Sequence, residues 1–214
     1  MTAVRILILI VVVALNGCQQ SAVTSNDPPT AGSVSSVLNA LTPVPASTPA
    51  APTPTVSSRT WAPPPRTKTS GCRSQGGLPD PACTPGAVDS RVSESTISST
   101  ICTRGYTASV RPPVSVTEPI KREQLAAYAL QGQPLSTVEL DHLIPLELGG
   151  APQDVANLWV EPWNGDANAH MKDAVETYLN REVCRGAMPL GEAQRQIATD
   201  WLSVYRSRGL SPAQ

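Results

Sequence analysis

The chain has 214 residues, with 16 Lys and Arg against 17 Asp and Glu and a formal net charge of −1. Within residues 71–214 the balance is 12 basic to 16 acidic, or −4, which speaks against a protein that grips polyanions by bulk charge. Its two histidines, His142 and His170, confine any imidazole chemistry to one short stretch.

Residues 1–17 read as an export signal. Arg5 supplies a positive start, and Ile6 to Leu15 is an unbroken apolar run. The run is too short for a transmembrane helix, which needs roughly 20 apolar residues. Its ending, Leu15-Asn16-Gly17-Cys18, resembles a bacterial lipobox. That resemblance implies cleavage before Cys18 and lipid on the new N-terminal cysteine, so the chain would be anchored to a membrane without spanning it. An ordinary cleaved signal with a stray cysteine is the alternative. Gln19 in place of Asp after the cysteine looks like a sorting signal for the outer membrane. The expected location is therefore the bacterial cell envelope, at the outer membrane or cell surface.

Residues 18–70 read as a disordered linker rich in Pro, Ser, Thr and Ala. Pro43, Pro45, Pro49, Pro52, Pro54 and Pro63-Pro64-Pro65 oppose helix and sheet pairing. The segment has too little apolar surface to offset the entropy of ordering it. Partly extended, it could hold a domain on the order of 100 Å from a membrane, at about 3.1 Å per residue. Trp61 is expected to be exposed and incidental.

Residues 71–214 suit one folded domain. Cys72, Cys83, Cys102 and Cys184 read as two disulfides in an exported protein, with three pairings open. Cys72–Cys83 with Cys102–Cys184 is favoured: one closes a local loop, the other ties the irregular first half to a helical second half. A zinc site is the competing use, but there is no Cys-x-x-Cys pair. Short strands are expected around Ser99–Thr103 and Ser109–Arg111. A helix is expected from Thr117 to about Gln131, stopped by Gly132. Strands over Val138–Ile144 and Val155–Val160 flank Gly149-Gly150 and make a hairpin. Helices over about Asp166–Val183 and Leu190–Arg206 complete the domain, with Gly186 and Gly209 as stops.

The run Leu140-Asp141-His142-Leu143-Ile144-Pro145, then Gly149-Gly150 and Asn157-Leu158-Trp159, carries the chemistry. An acid and a histidine precede a glycine turn, an asparagine follows, and a helix comes next. This order resembles the core of the HNH, or ββα-metal, endonucleases, over about residues 138–180. The resemblance implies a small α+β domain with a ββα core and flanking helices, braced here by disulfides. By position it implies Asp141 as a metal ligand, His142 as the general base and Asn157 as the brace of the histidine loop. Asp166 and His170 fall at the two remaining ligand positions, although the commonest family form has His or Asn where Asp166 stands. Placed i and i+4 on a helix, they would face one way.

The chemistry has a physical rationale. A phosphodiester is anionic and has a poor leaving group. A divalent ion lowers that charge and stabilises the leaving oxygen. A neutral imidazole can take a proton from water. Neighbours on a strand point to opposite faces, so a distorted strand end is needed to bring Asp141 and His142 to one phosphate. Oxygen-rich ligands suggest Mg²⁺ or Mn²⁺, with Zn²⁺ or Ni²⁺ the alternative through His170. The start of the helix offers N–H groups to an anion, and Lys172 is placed to touch a phosphate, unless it is simply solvated. Glu147 and Glu161 are expected at the surface or behind the ligands.

The implied activity is a metal-dependent endonuclease acting on DNA or RNA and leaving a 5′-phosphate. The bland alternatives are an Asp141 that pairs with an arginine, a satisfied core His142 and a His170 on an exposed helix face. The corresponding rival is a non-catalytic envelope lipoprotein that uses the same scaffold for binding. Another phosphoester would serve the same site equally well. No protein partner is identifiable.

Overall fold

The computed structural model describes residues 61–213. The signal, Cys18 and the linker up to residue 60 lie outside the described residues. The domain is α+β, with an antiparallel two-stranded hairpin followed by helices and two disulfides. In chain order it contains α1 (Tyr106–Val110), α2 (Val114–Ala127), β1 (Val138–His142), β2 (Leu158–Pro162), α3 (Ala169–Cys184) and α4 (Leu190–Ser207). Among the described residues no helix is long and apolar enough to cross a membrane.

The two strands pair in the register Val138↔Pro162, Glu139↔Glu161, Leu140↔Val160, Asp141↔Trp159 and His142↔Leu158. β1 stops two residues before the expected Ile144. The reason is local: the Asn157 side chain takes both the N–H and the carbonyl of Ile144, which leaves neither for a ladder. β2 correspondingly starts at Leu158 rather than Val155.

The strands expected between 99 and 111 are absent. A 3-10 turn covers Ile97–Ser99, and α1 takes Tyr106–Val110. The Thr100 hydroxyl donates to the Thr96 carbonyl at 2.7 Å and that of Thr103 to Ser98 at 3.0 Å. Such local bonds compete with a sheet ladder.

α2 begins at Val114, three residues before the expected Thr117, and is preceded by Pro113. It also ends early. Ala129 adopts φ 56°, and the Leu130 N–H reaches back to the Leu125 carbonyl at 2.7 Å. This is the left-handed helix stop that glycine usually supplies. α3 starts at Ala169 rather than Asp166. Asn168 is its cap, with Oδ1 accepting from the Met171 N–H at 3.2 Å.

The main core joins the inner faces of α3 and α4 to Ile144 and Leu148. Val175, Leu179, Val183, Ala193, Ile197 and Trp201 are buried there. Asp200 breaks the helical geometry of α4, and its carboxylate accepts from the Ser203 N–H at 3.3 Å, capping the continuing turn. Trp201 follows, and its indole donates to the Gly77 carbonyl at 2.7 Å. A Cβ at Gly77 would lie 2.7 Å from that ring, so only glycine fits. A second cluster packs Leu125, Tyr128, Val138, Trp159 and Val160 around Cys72 and Cys83.

The disulfides are Cys72–Cys83 and Cys102–Cys184, the favoured pairing. The domain also reaches further toward the N-terminus than residue 71. Trp61 is half-buried against the main core rather than free. Thr67 and Lys68 both donate backbone N–H groups to Ala82, and the Lys68 ammonium pairs with Asp80 at 2.9 Å. The proline-rich composition of residues 61–70 concealed this packing.

Candidate active site

The hairpin carries Asp141 and His142 at the end of β1, and the chain then turns through Leu146–Leu148 and Gly149-Gly150. Gly150 is required by proximity. A Cβ there would lie 1.7 Å from the Ile144 carbonyl oxygen. The two ends of the loop can therefore close only over a glycine.

Asn157 locks that closure. It is fully buried. Its Oδ1 accepts from the Ile144 N–H at 3.0 Å and the Ala87 N–H at 3.3 Å. Its Nδ2 donates to the carbonyls of Ile144 at 2.9 Å and Ala151 at 3.2 Å. One side chain thus fixes four backbone groups around the loop that follows His142.

That loop presents the Pro152 carbonyl to His142 Nε2 at 3.0 Å. A carbonyl cannot donate, so Nε2 carries the proton and Nδ1 keeps the lone pair of the neutral ring. No described residue hydrogen-bonds Nδ1. Burial lowers the His142 pKa below its usual value, against the opposing pull of the Asp141 charge. The ring is therefore a neutral base near pH 7, with its basic nitrogen unengaged.

Asp141 is bound to α3. Lys172 is 0 % exposed, and its ammonium meets Asp141 Oδ2 at 2.6 Å, the His142 carbonyl at 2.9 Å and the Glu176 carboxylate. Burial raises the Asp141 pKa, but the charge and hydrogen bond of Lys172 outweigh it and hold the carboxyl below its usual range. Lys172 thus occupies neither of its expected places: it is not solvated and does not reach out to a phosphate. Its stem lies in the interior, where a paired ammonium is the form burial tolerates.

Asp141 and His142 both line a cavity of about 230 Å³. Its walls include Glu139, Glu147, Asp173 and Glu176, with Arg111 as the one basic residue. Burial, followed by the charges of Asp141 and Asp173, pushes the Glu139 carboxyl up to about 7. Burial pushes Glu176 up to about 8 despite Lys172. Glu147 and Asp173 are raised too, first by burial.

Glu161 faces Glu139 across the ladder and is 1 % exposed, not a surface group. Its two oxygens and Glu139 Oε1 are buried and meet no protein donor. Burial and then the Asp141 charge raise the Glu161 carboxyl well above the usual range. Carboxylate oxygens of Glu139, Asp141 and Glu161 lie within 4.8 Å of one another.

The other two expected ligands sit elsewhere. Asp166 is exposed and precedes the Asn168 cap, so it is not on the helix. His170 is exposed at the second helical position, and its ring lies against Trp163 with centroids 5.2 Å apart. Among the described residues the acidic cluster at Asp141 includes neither of them. Sequence reasoning passed over Glu139 and gave Glu161 only a place at the surface or behind the ligands. Period-two spacing in a strand does put Glu139 on the face of Asp141, but the register that adds Glu161 requires the structure.

Comparison with family models, with curated proteins and with solved structures returned no match.

Proposed function

We propose that this domain is a metal-dependent phosphodiesterase of the HNH-like, ββα kind, acting as an endonuclease on DNA or RNA at the bacterial cell envelope. The observation that carries this reading is the His142 imidazole: neutral, oriented by Pro152 through Nε2, with Nδ1 unengaged, on a residue that lines an acidic cavity together with Asp141. A histidine kept only for core packing would have no reason to line that cavity with one nitrogen unengaged.

His142 Nδ1 takes the proton of the attacking water, and Nε2–H stays on the Pro152 carbonyl, so the ring holds its orientation as it charges. Asp141, already ionised by Lys172, is positioned to stabilise the imidazolium that forms. Asn157 keeps the Pro152 loop in place. Arg111 is the cavity's own positive group and suits a phosphate oxygen. The reading includes a divalent cation, Mg²⁺ or Mn²⁺, which would supply charge neutralisation at the phosphate and the leaving oxygen. Asp166 and His170 are exposed and do not join Asp141 in one cluster, so that set does not fit the role in this structure. Two disulfides agree with an oxidising, exported location.

The test is cleavage of plasmid DNA and of RNA by the purified, oxidised protein, with EDTA and His142→Ala as controls. Cleavage should require a divalent ion and fall about 10²–10⁴-fold in His142→Ala. Full activity in His142→Ala would remove the assignment. No cleavage with Mg²⁺, Mn²⁺, Ni²⁺ or Zn²⁺ by a demonstrably folded sample would leave the binding lipoprotein as the better reading.

A further inference from the structure

We propose that Glu139, Asp141 and Glu161 form a hard divalent cation site on the hairpin itself, with both strands supplying ligands. It refines the reading above by replacing Asp166 and His170 with two glutamates, but it stands on separate observations.

The first is the convergence of three carboxylates, with oxygens within 4.8 Å of one another. An ion about 2.1 Å from its ligands joins oxygens up to about 4.2 Å apart, and one about 2.4 Å from them joins oxygens about 4.8 Å apart. The cluster is therefore already near the size that Mn²⁺, Mg²⁺ or Ca²⁺ demands.

The second observation is Glu161. It is 1 % exposed, both of its oxygens are buried, and no donor of the protein reaches either one. Glu139 Oε1 is stranded in the same way. A buried acceptor without a partner carries its full desolvation cost, and native proteins rarely retain several side by side. Like charges opposite each other across a ladder, as in Glu139↔Glu161, add to that cost. A cation between the strands would give these stranded carboxylates a partner and offset the repulsion.

Charge counting gives the third. Lys172 is the single buried cation among the described residues, and Glu139, Asp141, Glu161 and Glu176 all feel its charge. With all four ionised, one ammonium leaves a net charge of −3, and a divalent ion brings it to −1. Lys172 binds Oδ2 of Asp141, which leaves Oδ1 for the ion. Glu139 and Asp141 line the cavity and give it an entrance, while Glu161 lies deeper. Donors made only of oxygen select hard ions over thiolate- or imidazole-loving ones.

The test is Mn²⁺ binding to the full, oxidised chain without substrate. Calorimetry and the paramagnetic signal of free Mn²⁺ give the affinity, and thermal unfolding with and without Mn²⁺ gives the linked stabilisation. Wild type should bind one tight Mn²⁺ per chain and gain Tm. Glu161→Gln and Glu139→Gln should each weaken binding at least tenfold and lose the Tm gain, while Asp166→Asn and His170→Ala bind as wild type. Without metal, Glu161→Gln should unfold at or above the wild-type Tm, because it removes a stranded acid; this separates lost binding from lost folding. Wild-type affinity in Glu161→Gln, or binding lost in His170→Ala, overturns the site. Tight, Glu161-dependent Mn²⁺ binding without cleavage supports this site and removes the nuclease reading. Metal-dependent cleavage with Mn²⁺ affinity unchanged in Glu161→Gln does the reverse.

Discussion

Replacing Asn157 with alanine tests the loop that orients the candidate base. The side chain makes four hydrogen bonds at 2.9–3.3 Å, two of them to Ile144 and one each to Ala87 and Ala151. Each buried bond is worth about 1 kcal/mol net, and a stranded backbone group costs about 1–3 kcal/mol. Some groups will recover a water in the space left behind, so the expected loss is about 3–5 kcal/mol. Against a typical domain stability of about 5–15 kcal/mol, the protein should still fold at low temperature but with a much lower urea midpoint. Asn157→Asp sharpens the test. It keeps the acceptor for Ile144 and Ala87 but turns a carboxylate oxygen toward two carbonyls. Its deficit should match or exceed that of alanine at pH 7 and shrink as the pH falls through the carboxyl range, where the acid regains a donor. Hydrogen exchange at the Ile144 amide should accelerate in both variants, and cleavage should fall in step, because the Pro152 carbonyl loses its support. A loss under about 1 kcal/mol in Asn157→Ala, or a wild-type midpoint for Asn157→Asp at pH 7, would refute the clamp.

The disulfides should differ in value. Cys102–Cys184 spans 82 residues and Cys72–Cys83 spans 11. Loop-closure entropy gives about 4.5 and about 2.8 kcal/mol, so Cys102→Ser with Cys184→Ser should unfold in less urea than Cys72→Ser with Cys83→Ser. Ala129→Gly should stabilise the domain by about 1 kcal/mol, read as a rise in Tm, because alanine pays a left-handed penalty at φ 56°. Metal-free stability should fall as pH rises through about 7 and 8, followed by urea unfolding in EDTA. The folded-state pKa of Glu139, facing Asp141, Asp173, Lys172 and Arg111, is about 7. That of Glu176, facing Lys172, Asp141 and Glu147, is about 8. Both exceed the unfolded value, so the folded state binds more protons than the unfolded chain; the stabilisation is full below about pH 4 and lost as the folded carboxyls ionise.

The hairpin, the last two helices and the disulfide partners were legible in the sequence because each has a local or combinatorial signature: a Gly-Gly turn, apolar spacing near 3.6 and four cysteines. The ends of elements were less legible. Asn157 cuts β1 short by taking the backbone of Ile144, a contact 13 residues away that no window of propensity contains. Asn168 caps α3, so the helix starts at Ala169 instead of the expected Asp166, and that one shift carries Asp166 off the helix. Lys172 looked like a surface cation because lysine almost always is one. Its burial depends on three acceptors brought together from β1 and α3. In the candidate site, the adjacent Asp and His were visible as chemistry, but the glutamates that complete the cluster become visible only through strand register.

Register also resolves a tension of charge. A domain with a −4 balance and a cavity bearing five carboxylates should repel a polyanion, and Arg111 alone on the cavity wall cannot reverse that. Phosphate binding depends on local neutralisation rather than on net charge. The raised carboxyls show that the folded chain already holds more negative groups here than it can comfortably ionise. Protons relieve this below neutral pH, and a divalent cation would relieve it above. In the second case the local charge falls from −3 to −1 around Lys172, next to a neutral His142, where an anionic substrate must approach. The acidic character that argues against a general nucleic-acid binder is therefore the character a cation-dependent hydrolase needs, and it requires attraction to the substrate to appear only with the ion.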